Sequence, residues 1–149
     1  MVEPEWIFLH ETPCKILKLL RQTSKPIYPT IVSKKIGITY AHVFNVLLRL
    51  EEIGFVNFEK KGRIKLIQLT ESGHRASEIL DDFVSLTKLS HVWAGIQKIS
   101  SAPEMKNSKE ATRLLTKYEK ELNNLKESKV QWVKDTAEKL LAKIQELKQ

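Results

Sequence analysis

The chain carries a single cysteine, Cys14, so no intramolecular disulfide can form, and a lone thiol fits a reducing compartment. Its four histidines, His10, His42, His74 and His91, lie far apart and show none of the spacings of a zinc site. There is no glycine-rich phosphate loop and no nucleophile motif. Neither catalytic residues nor a metal nor a cofactor is expected, and the chain is not expected to be an enzyme. The longest apolar run near the start, Trp6–Leu9, is too short for a signal peptide or a membrane span. No membrane partner is expected, and a cytoplasmic, nucleoid-associated location is. Glycine and proline are scarce, and neither occurs over 104–149, so nothing there interrupts a helix.

What is abundant is positive charge. Lys plus Arg is 25 and Asp plus Glu is 18, a net charge of +7. The excess is uneven: residues 1–70 carry 11 basic and 6 acidic side chains (+5), and residues 71–149 carry 14 and 12 (+2). A polyanionic partner for the first part fits this balance, whereas the second part has the mixed charge of solvated helices.

Periodicity divides the chain into three parts. Residues 1–11 form an N-terminal arm, read as extended, whose Trp6, Ile7 and Phe8 are available to cover an apolar surface. Thr12-Pro13 suits a helix start, and Ile16, Leu17, Leu19 and Leu20 make one apolar stripe. Ile27-Tyr28 suits a short strand. Pro29 opens a second helix with Ile31, Val32 and Ile36 inside, and Gly37 is placed to turn the chain. Thr39 is placed to cap a third helix that Gly54 closes. The β-rich runs 55–60 and 63–69 flank a basic turn at Lys60-Lys61-Gly62. Thr70 caps a further helix with Glu71 in its first turn. The order helix, turn, helix, basic hairpin over 12–70 is that of a winged helix-turn-helix. The expected fold is mainly α with a small β-hairpin.

Residues 71–149 read as a helical region, interrupted only at Ser100-Ser101-Ala102-Pro103. Beyond it Leu115, Tyr118, Leu122, Leu125, Lys129 and Trp132 step by three and four, as in a coiled-coil seam. Val133, Ala137, Leu140, Ile144 and Leu147 continue one residue out of phase. That shift fits either a local phase change or two helices joined near 123–129. The stripe needs a partner, either another copy or the preceding helix. Dimerisation is expected through Leu115, Tyr118, Leu122, Leu125, Trp132, Leu140, Ile144 and Leu147.

Segment 12–80 resembles winged-helix regulators of the MarR, PadR and ArsR kind, especially small archaeal ones. The likeness rests on Ile38-Thr39-Tyr40-Ala41-His42-Val43, on Leu47 and Leu50, on Glu51-Glu52-Ile53-Gly54-Phe55-Val56, and on Leu69-Thr70-Glu71-Ser72-Gly73. It covers about half the chain. It implies transcription regulation through double-stranded DNA, with a homodimer formed by the helical region and an effector that is not identified. Some winged helices instead serve as protein-interaction modules. A non-specific architectural nucleoid protein is the other alternative.

In helix-turn-helix proteins the N-terminal part of the second helix meets base edges. Thr39, Tyr40, Ala41, His42, Asn45 and Arg49 are placed for base reading; Asn suits adenine, Ala a thymine methyl, and Arg guanine or phosphate. Ser33, Lys34 and Lys35 on the preceding helix, and Lys60, Lys61, Arg63 and Lys65 on the wing, are placed for the DNA backbone. On a helical wheel Phe44 and Leu48 also fall outside the core face. That apolar ridge suits thymine methyls, cover by the arm, or a protein partner. Cys14 reads as a small packed side chain; its place near a helix N-terminus, where a thiol pKa can fall, makes redox sensing the alternative. Trp93 and Trp132 read as core, with a ligand cavity as the alternative.

Overall fold

The computed structural model describes residue 3 and residues 5–149, with only the backbone of Phe8. Residues 1, 2 and 4 of the arm, and the Phe8 side chain expected to help cover an apolar surface, lie outside the described residues. The chain divides into two compact units, Met1–Leu80 and Asp81–Gln149.

The first unit is a winged helix. Its arm contains a helical turn, α1 (Trp6–Leu9), in place of the expected extended chain. A turn satisfies its own backbone groups: the Leu9 N–H donates to the Glu5 carbonyl at 3.1 Å. An extended arm would need a sheet edge to do the same. Ile7 is buried among the residues of the first core. Helix α2 (Glu11–Gln22) starts before Thr12, because His10 takes the extended cap conformation. Pro13 then sits inside the first turn, where a missing N–H costs nothing.

Helix α3 (Pro29–Ile36) ends at Gly37, whose φ of 71° is the left-handed conformation that disfavours a side chain. Helix α4 (Tyr40–Ile53) follows as expected, but the Thr39 hydroxyl makes no capping bond. Val43, Val46, Leu47 and Leu50 of α4 are buried with Ile16, Leu17, Leu20 and Val32. Each such side chain taken from water contributes about 1.5–3 kcal/mol.

Strands β1 (Val56–Lys61) and β2 (Ile64–Leu69) pair antiparallel from Val56↔Leu69 to Lys61↔Ile64. Ile27 bridges Ile67 from the other side, so the short strand expected at Ile27-Tyr28 is reduced to a single bridging residue. The Thr70 hydroxyl accepts from the Gly73 N–H at 3.0 Å and donates to the Gly54 carbonyl at 2.6 Å. One side chain thus caps α5 (Glu71–Ser101) and ties its start to the end of α4.

The second unit contains the later part of α5, the short α6 (Pro103–Lys106), α7 (Lys109–Lys126) and α8 (Gln131–Lys148). The out-of-phase step in the stripe is the join of two helices, not a phase change within one. Leu115, Tyr118, Leu122 and Leu125 of α7 are buried with Leu140 and Ile144 of α8 and with Leu89, Val92, Ile96 and Ile99 of α5. Leu147 packs partly buried against the same core.

The stripe expected to pair two copies therefore closes within one chain, on the preceding helix and on itself. Trp132 departs from it, 42% exposed while Val133 is fully buried. The new helix begins at Gln131 and sets its own phase. Gly95 makes this packing possible, since a Cβ there would overlap the Tyr118 ring and hydroxyl.

Candidate nucleic-acid interface

The outer side of α4 is open. Thr39, Tyr40, Ala41, His42, Asn45 and Arg49 are all exposed, so every residue expected to read bases lies on the surface. This follows from the wheel: once Val43, Val46, Leu47 and Leu50 face the core, the intervening positions face out. Lys34 and Lys35 are exposed in the last turn of α3. Ser33 is a correction. It is buried, and its hydroxyl donates to the Thr30 carbonyl at 2.9 Å, so it faces the inside of the motif and not a DNA backbone.

One flank of α4 is joined to the wing. The Phe44 ring stacks on Tyr40 with centroids 5.7 Å apart and lies 5.9 Å from Phe58 of β1. Phe44 is half-buried between them, so the expected Phe44–Leu48 ridge does not form. Leu48 alone stays exposed, at 42%. The sequence reading missed Phe58, although strand alternation places it on the same face as buried Val56.

That alternation also sorts the wing cations. Lys60 stands directly opposite Lys65 and Lys61 opposite Ile64. Lys60 and Lys65 thus share the face of Phe58 and Ile67, while Lys61 shares the other with Glu59. The Lys65 ammonium lies 5.5 Å from the Phe58 ring centroid. Two like charges directly opposite one another repel, and an approaching polyanion relieves that repulsion. Arg63 is exposed in the turn.

The other flank of α4 meets the arm and the start of α2. The Arg49 guanidinium carbon lies 5.2 Å from the Trp6 ring centroid, a cation–π distance. Trp6 also touches His10, with ring centroids 5.9 Å apart. Beside them is a cavity of about 210 Å³. Trp6, His10 and Pro13 line it on one side, and His42, Asn45 and Arg49 on the other. The arm therefore lies against the Arg49 side of α4, not against Phe44.

Cys14 is half-buried, and its thiol donates to the Ile7 carbonyl at 3.0 Å. Burial raises the thiol pKa above its ordinary value, and a hydrogen bond from the backbone of Cys14 itself opposes this only in part. The lowering expected from a helix N-terminus is overruled by desolvation. Among the described residues no group of His, Cys, Asp and Glu could hold a metal ion. No described helix is long and apolar enough to cross a membrane. Trp93, expected in a core, is 48% exposed.

No family model matches the chain, and no curated protein does. Among solved structures it is similar to AF1382 from Archaeoglobus fulgidus, with 20% identity and a TM-score of 0.50. That match covers 57% of this chain and 97% of the other. Two structures of ZitR from Lactococcus lactis match at 20% identity. The E41A mutant gives a TM-score of 0.48, covering 76% of this chain and 73% of that one. The C30AH42A mutant in apo form gives 0.49, covering 78% and 83%. The likeness to AF1382 concerns the fold alone.

Proposed function

We propose that the protein binds double-stranded DNA sequence-specifically, as a homodimer, and regulates transcription. One observation carries this reading. The uncovered face of α4, with Thr39, Tyr40, Ala41, His42 and Asn45, belongs to the same unit as the exposed cations Lys34, Lys35, Lys60, Arg63 and Lys65. Cations that contact phosphates give register, and side chains in the major groove give sequence preference. The half-burial of Phe44 supports the reading further, because it removes much of the apolar ridge that a groove-facing helix would not carry.

The α7–α8 stripe, closed within one chain, does not support the homodimer. Apolar side chains of α5 that stay exposed in the second unit, among them Val84, Leu86 and Trp93, support it. Two-fold symmetry would then demand a pseudo-palindromic site with half-sites about one helical turn apart. A protein-interaction module is the second reading, favoured by the exposed Leu48.

Selection from random-sequence duplexes at two salt concentrations separates the readings. Enrichment of a palindrome supports the regulator. Salt-sensitive binding without enrichment points to an architectural protein, and no binding at low salt to the interaction module.

A further inference from the structure

Arg49 stands nine residues beyond Tyr40, about 13 Å along the α4 axis at 1.5 Å per residue. A helix that enters a groove by its N-terminal turns brings such a position to the groove wall, where phosphates lie. The Trp6 ring covers the guanidinium at 5.2 Å, and His10 packs on Trp6 in turn. A guanidinium carries five N–H donors, and those turned away from the ring can meet an acceptor. Arg49 also lines the 210 Å³ cavity with His42, Asn45 and Glu11, whose carboxylate is paired with Lys15 at 2.7 Å, so open space adjoins the guanidinium. The arm is fixed from behind: Ile7 is buried in the first core, and its carbonyl accepts from the Cys14 thiol.

We propose that Trp6 is a positioning residue that holds Arg49 for a DNA backbone phosphate, making the N-terminal arm part of the DNA-binding surface on the side of α4 away from the wing. This rests on the proposed DNA binding. It moves Arg49 from base reading to phosphate contact. It also gives the duplex two anchors, the wing on one flank of α4 and the arm-held arginine on the other.

The test uses the full chain on its selected duplex. W6L, which keeps apolar bulk but loses the aromatic face, should weaken binding about two- to fivefold, the scale of one exposed cation–π contact. W6F should stay close to wild type. R49A should weaken binding alike on all sequences and flatten the salt dependence by about one unit of slope per subunit. R49K is a surface change that leaves the core intact. It should keep the salt slope and lose affinity as W6L does. In an R49A background W6L should add nothing.

Tighter binding by W6L would show that the arm masks the helix, and would overturn the proposal. So would an unchanged affinity in both W6L and R49K, or a change in preference at a single base pair in R49A. If wild type itself binds no duplex, the functional reading fails together with this one. If wild type binds and these variants do not behave as stated, this proposal alone fails.

Discussion

Phe44 of α4 and Phe58 of β1 hold their ring centroids 5.9 Å apart, at an interplanar angle of 51°. The contact couples the helix proposed to read bases to the wing proposed to grip the backbone. Tyr40 extends the contact on one side and the Lys65 ammonium on the other. Four side chains thus run from the first turn of α4 to the wing.

Removing either ring should loosen both elements. Aromatic pairs contribute about 0.5–1.5 kcal/mol beyond the area they bury. In a double-mutant cycle, F44A and F58A should show a coupling of that size in urea unfolding. Strict additivity would mean that the rings stabilise the unit independently. F58A should also weaken DNA binding although it removes no charge.

The wing cations should separate by face. K60A removes one of two opposed like charges, so it should raise stability by a few tenths of a kcal/mol, up to about 1. It should also reduce DNA affinity and lower the salt slope by about one unit per subunit. K61A, on the Glu59 face, should change the slope less. With about six phosphates neutralised per monomer, the wild-type slope should be about −5 for each bound monomer and about −11 for the dimer. An equal response to K60A and K61A would show that the hairpin presents both faces to DNA.

G95A should destabilise the second unit by about 1–3 kcal/mol, the usual effect of overpacking. A methyl there meets the Tyr118 ring. Combining it with Y118A should cost less than the sum of the two single changes in thermal or urea unfolding. Additive losses would place the strain elsewhere.

Cys14 should react slowly. Its raised pKa leaves less thiolate at neutral and mildly alkaline pH than an unfolded thiol carries. Iodoacetamide should label it more slowly in the native protein than in urea at the same pH; an equal or faster native rate would contradict the burial argument. The sign for stability follows. A raised folded pKa gives stability that is fully present below the unfolded value and is lost as pH climbs through the thiol's range, because the unfolded chain ionises first.

Most of the first unit was legible because its signals are local. Gly37 and Gly54 mark helix ends, Pro29 a helix start, and the alternation around Lys60-Lys61-Gly62 a hairpin. Val43, Val46, Leu47 and Leu50 recur at helical spacing, and all four are buried. What escaped depends on contacts between elements. Phe44 looked exposed because a wheel of α4 does not contain Phe58. Ser33 looked outward because nothing in the sequence shows its hydroxyl bonded back to Thr30. The tail stripe was identified correctly as apolar, but spacing does not say whether its partner is a neighbouring chain or the same one. Only the step from Trp132 to Val133 hinted at a hairpin.

That closed stripe has a further consequence. A seam shared by two copies melts on dilution, because its stability includes a term in protein concentration. The core that joins Leu115, Leu122, Val133 and Ile144 contains no such term. Subunits joined elsewhere could therefore separate, and exchange partners, with this part of each chain still folded.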